Sequence, residues 1–136
     1  MRRHVLDASA LLAFLEERPG AARVGNLLTR AAELGQPAYI SAVNWGEVYY
    51  VVWRGRGERA ANEILAKIAA LPIQIVDVDT PLAKQAATFK ARFKLPYADC
   101  FAAALAQERK AVLVTSDRNF ESVERNVKLL WVDSGR

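Results

Sequence analysis

A chain of 136 residues with 52% hydrophobic and 25% charged side chains is long enough to bury a core unaided and too apolar for a disordered tail. Its one cysteine, Cys100, excludes an internal disulfide framework and fits a reducing cytoplasm. The net charge of +4 permits a polyanionic partner without demanding one, and no apolar run is long enough to span a membrane.

The chain opens MRRHVLDASALLAFLEE, basic and then apolar like a secretory signal. Asp7 and Ser9 interrupt the run and Glu16-Glu17 close it, so the segment reads as folded structure. His4-Val5-Leu6 predicts a strand and residues 9–17 a helix, with Asp7 at the junction. An acid there serves either as a helix cap or as a chemical group at a strand end. Pro19-Gly20 breaks this helix from a second over 21–34, and residues 38–41 predict the next strand.

A helix over 43–53 follows, within SAVNWGEVYYVVW. From Asn44 to Trp53 its only charged residue is Glu47, and its remaining side chains are apolar nearly all round. Such a helix is expected to be buried by its own domain or by a partner. Asn44-x-x-Glu47 has the form of a capping box, with Ser41 a competing start. Gly55 and Gly57 are expected to separate this helix from one over 57–70. Arg54, Arg56 and Arg59 crowd the junction, either as a solvated helix end or as phosphate contacts.

A strand over 73–78 comes next, and Thr80-Pro81 reads as an N-cap and first-turn proline for a helix over 81–93. The helix over 97–109, in PYADCFAAALAQER, holds Asp99 as its only acid before Glu108, beside Ala102, Ala103 and Ala106. Residues 111–115, AVLVT, form a strand that runs into Asp117, which has its own reading as a turn or cap residue. Residues 129–132 predict the last strand.

Strands alternating with helices predict one α/β domain over residues 1–136, a mostly parallel sheet covered by helices. Ligands gather beyond the carboxyl ends of such strands, which is where Asp7 and Asp117 fall. Two carboxylates about 5 Å apart repel by roughly 3 kcal/mol at an effective dielectric near 20. Should Glu47 and Asp99 join them, a bound cation removes that cost. The donors on offer are oxygens, with His4 the sole histidine, expected at the exposed start of its strand. That set suits a hard cation such as Mg²⁺ and makes histidine acid–base chemistry improbable.

Together LDASALLAFL, NWGE, PYADCFAAALA and VTSDRNF resemble, in order, the acidic motifs of PIN domains, particularly the VapC-type toxins of toxin–antitoxin pairs. The resemblance runs from near residue 4 to near residue 132. It implies an α/β/α sandwich around a five-stranded, mainly parallel sheet, assembled as a homodimer. It also implies a Mg²⁺- or Mn²⁺-dependent endoribonuclease that hydrolyses RNA phosphodiester bonds and is silenced by a cognate antitoxin. By motif, Asp7, Glu47, Asp99 and Asp117 are the implied catalytic acids. Asp7 and Asp99 are the principal metal ligands, with Asp117 and Glu47 completing the cluster directly or through water. Ser9 and Thr115 match small hydroxyl positions and Asn44 a polar one. Arg54, Arg56, Arg59 and Arg118 are the candidate RNA contacts.

Two related readings stay open: an RNA-processing PIN nuclease outside any toxin–antitoxin pair, and a non-catalytic RNA-binding protein of this fold. A receiver-like protein phosphorylated on Asp7 has a similar expected sheet, but Ser9 stands where such proteins place a second acid.

Overall fold

The short strands are apolar on both sides, which demands helices over both faces of the sheet. The computed structural model describes residues 2–133. Its strands are β1 (His4–Leu6), β2 (Ala38–Ser41), β3 (Ile73–Val76), β4 (Val112–Thr115) and β5 (Leu129–Trp131). The helices are α1 (Ala8–Leu15), α2 (Ala21–Leu34), α3 (Ala42–Arg56), α4 (Glu58–Ala69), α5 (Thr80–Arg92) and α6 (Tyr97–Arg109). A short 3-10 helix, Arg118–Val123, follows β4.

Strand periodicity divides the core in two. Val5, Tyr39 and Leu113 point to one face, where Leu82 and Phe89 of α5 and Phe101 and Leu105 of α6 cover them. Their neighbours Leu6, Ile40 and Val114 point to the other, against residues of α1 to α4 such as Leu11, Leu28, Val48 and Ile64. The result is the expected α/β/α sandwich. Among the described residues, no helix is long and apolar enough to cross a membrane.

All neighbouring strands pair in parallel, in the order β3-β2-β1-β4-β5. A receiver-like sheet runs 2-1-3-4-5, so the topology departs from that rival. From β1 the chain winds outward through β2 to β3, then returns across β1 to lay down β4 and β5. The reversal lies between β1 and β4, and crevices open at such a switch point, beyond the strands' carboxyl ends. Asp7 follows β1 and Asp117 lies just past β4, so both flank it.

Several local expectations change. Gly55 continues α3, which ends instead at Gly57, where a φ of 92° suits only glycine. Asp79, not Thr80, caps α5 by accepting from the Leu82 N–H at 2.9 Å. Ser41 caps α3, so Asn44 lies inside the helix rather than at its cap. His4 is half-buried rather than exposed, and burial lowers its pKa.

Candidate active site

Four acids reach the switch point on four different elements. Asp7 is only 2% exposed, and its backbone N–H still donates to the Val114 carbonyl at 3.3 Å. Oδ1 accepts from the Ala10 N–H at 2.8 Å, so Asp7 is the N-cap of α1 after all. Ser9 Oγ donates to the same oxygen at 2.8 Å, and Thr115 Oγ1 donates to Oδ2 at 2.5 Å. The same hydroxyls accept from the loop after β4: Ser9 Oγ from the Ser116 N–H (3.0 Å) and Thr115 Oγ1 from the Asp117 N–H (2.9 Å). A carboxylate has about four lone-pair positions; three donors reach Asp7, which leaves room for one further partner.

Asp99 stands in the first turn of α6 and is 6% exposed. Its Oδ2 is buried without any hydrogen-bond partner, and so is Oε1 of Glu47, on α3. Orphaned buried acceptors are costly and call for an explanation, such as an ion. Asp117 caps the 3-10 helix by accepting from the Asn119 N–H at 2.9 Å.

The acids feel one another. Burial, then the charges of Asp117 and Asp7, contact with Asp117 and the charge of Glu47 push the Asp99 pKa up to about 8. Burial raises Asp7 to about 6 against the hydrogen bonds from Thr115, Ala10 and Ser9, and Asp117 adds repulsion. Glu47 is also raised, by burial first and by Asp117, while Asn44 opposes the shift. The field of Asp117 therefore reaches the other three acids.

Among the described residues no ion pair reaches these four acids; the pairs join Glu16 to Arg18 and Arg56, Glu108 to Arg109, and Asp133 to Arg118. Nor do any three His, Cys, Asp or Glu side chains among those residues already close into a ligand shell. A spaced, oxygen-only set with bare acceptors fits a hard, partly hydrated cation better than a structural zinc.

Asn44, fully buried, accepts from Ser41 Oγ at 2.6 Å and donates from Nδ2 to the Ala98 carbonyl at 3.0 Å. It thus ties α3 to the turn that carries Asp99. Sequence reasoning kept Ser41 as a helix start only; its hydroxyl proton bound for Asn44 left no local signal.

The arginines lie on different elements. Arg118 adjoins Asp117, pairs with Asp133 at 3.6 Å and stacks over Trp131 at 4.3 Å. Arg54 and Arg56 end α3 and Arg59 begins α4, all exposed. Arg54 is seven residues beyond Glu47, roughly 10 Å along the helix axis; it lies over Tyr50, and Arg56 pairs with Glu16 at 3.4 Å.

No curated protein matches the chain by sequence. Among solved structures it is similar to DNA-bound VapBC from Salmonella typhimurium, with a TM-score of 0.75 and 18% identity over 97% of this chain and 99% of that one. VapBC2 from Rickettsia felis, bound to a promoter DNA fragment, gives 0.74 and 17% over 93% and 96%. VapC20 of Mycobacterium tuberculosis, a sarcin–ricin loop cleaving toxin, gives 0.64 and 19% over 88% and 94%. At such identities the likeness is one of fold. The sequence pattern of the PIN domain, however, matches residues 4–126, and by that match the chain belongs to the PIN domain family.

Proposed function

We propose that this protein is a Mg²⁺- or Mn²⁺-dependent endoribonuclease, a single PIN domain over residues 1–136 that acts in the cytoplasm as the toxin of a toxin–antitoxin pair. The observation that carries the reading is the gathering of Asp7, Glu47, Asp99 and Asp117 at the switch point with two bare carboxylate oxygens. Asp7, Asp99 and Asp117 hold the cation, which supplies Lewis-acid polarisation of the scissile phosphodiester and a more acidic water. Ser9 and Thr115 donate to Asp7 and so favour its ionised, metal-binding form. Glu47 adds to the hold on the cation through an intervening water, and it orients the attacking water and accepts its proton. Arg118 meets the RNA phosphates at the rim, and Arg54, Arg56 and Arg59 extend the basic track.

Fold relatives described as toxin–antitoxin systems support an antitoxin partner, which in cells keeps the activity silent. Tyr50 and Trp53 of α3, 48% and 41% exposed, support a homodimer, since large aromatic side chains favour interfaces.

The test is cleavage of single-stranded or looped RNA by the purified protein. Mg²⁺ or Mn²⁺ is expected to support cutting and EDTA to stop it. Asp99→Asn should lower the rate by more than the roughly 10–100-fold typical of lost supporting contacts around a metal. Undiminished cutting by that variant, or in EDTA, overturns the reading.

A further inference from the structure

Among the described residues five polar side chains are buried: Asp7, Asp99, Thr115, Ser41 and Asn44. The first three belong to the acidic site. Burial of the other two, both 0% exposed, calls for a reason of its own, because a buried amide has two donors and an acceptor to satisfy.

Their hydrogen bonds fix a single arrangement. The Asn44 N–H donates to Ser41 Oγ at 3.1 Å, which leaves the hydroxyl proton to go to Asn44 Oδ1 at 2.6 Å. With Oδ1 so engaged, Nδ2 must face the other way, and one of its hydrogens goes to the Ala98 carbonyl at 3.0 Å. A flipped amide would set its oxygen against that carbonyl. The second Nδ2 hydrogen remains for Glu47, three residues on and on the same helical face, whose carboxylate interacts with the Asn44 side chain. One carboxamide, fixed to the backbone beside Asp99, therefore also acts on the side chain of Glu47.

We propose that Asn44, locked by Ser41, is a positioning residue that sets the Glu47 carboxylate against the turn of α6 carrying Asp99. The inference rests on the metal-site reading given above. Glu47 and Asp99 ride on different helices and repel each other, so nothing in their own charges holds them at a fixed separation. A lysine or arginine between them would bind both and compete with a cation. A neutral amide holds the geometry and leaves the negative charge available.

Mn²⁺ titration calorimetry on metal-free protein, with thermal melts to confirm folding, tests the proposal. The parent is expected to bind Mn²⁺, and Asp99→Asn to lose most of that affinity. Asn44→Ala should weaken binding by about tenfold, the scale set by supporting contacts around metal ligands, and Ser41→Ala should weaken it less. In a Glu47→Gln background, Asn44→Ala should change affinity by under about twofold, since the group it positions is gone. A folded Asn44→Ala protein that binds like the parent, or an equal loss in both backgrounds, overturns the positioning role. Should Asn44→Ala fail to fold, parental affinity in Ser41→Ala overturns it. A parent that binds no Mn²⁺, or binding unchanged by Asp99→Asn, overturns the metal-site reading instead.

Discussion

Asp7 carries two loads at once. Its Oδ1 closes the first turn of α1, while its place after β1 puts it at the switch point. The cap reading of the sequence therefore holds without moving Asp7 away from the switch point, and Asp117 repeats the pattern at the 3-10 helix. Asp99 shows what such placement costs the metal-free protein. Its pKa is raised to about 8 and that of Asp7 to about 6, against an ordinary 3.8. A carboxyl whose pKa is raised on folding binds its proton more tightly in the native state. Its stabilising contribution is whole below about pH 4 and is lost as the pH climbs through the folded value. Melting temperatures measured in EDTA are thus expected to fall between pH 5 and pH 9, as both carboxyls are forced to ionise. Asp99→Asn, neutral throughout, should flatten the curve and melt higher than the parent near pH 9 while losing activity. A variant curve as steep as the parent's would contradict this account. Added Mn²⁺ should stabilise most at the alkaline end, where protons no longer compete for the ligands.

At the scale of elements, α3 is covered only in part by its own domain. An apolar circumference predicts burial, yet only Asn44, Val48 and Val52 are buried, and Tyr50 and Trp53 face outward. Its composition was legible; which arc meets the sheet was not, because a helix apolar all round has no preferred face. The cap of α5 makes a similar point. Asp79 and Thr80 are adjacent good cappers, and the choice falls to the one whose backbone is extended, with φ −93° and ψ 176°. Glycines in the elements can be sorted the same way. Gly46 lies inside α3, and a Cβ there would meet open space. Gly46→Ala should therefore stabilise the fold by about 0.5–1 kcal/mol, the helical penalty of glycine. Gly20 has φ +94°, and its Cβ would lie 2.7 Å from the Val132 carbonyl oxygen. Gly20→Ala should destabilise by more than about 1 kcal/mol, through strain and collision together. Urea unfolding of both variants checks the pair, and matching signs would refute the argument.

For the whole molecule, the decisive fact is strand order. With β1 and β4 side by side, the ends of both strands converge, and Thr115 reaches an acid 108 residues away in sequence. The outward aromatics of α3 lead to a prediction at this scale. Sedimentation equilibrium should give a dimer's mass, and Trp53→Glu should shift it to the monomer without lowering the helix content. An unchanged mass would move the interface elsewhere. By itself the sequence determined the alternation of strands and helices, the identity of the acids and their places at strand ends or in first turns. These are local properties, set by side-chain periodicity, capping and turn residues within a few positions. Only the tertiary structure decided that β1 lies between β2 and β4, that four acids share one field, and that Ser41 and Asn44 lock α3 to α6. Such pairings join groups tens of residues apart, and no local preference encodes them; they follow from how two apolar faces of a sheet are covered at once.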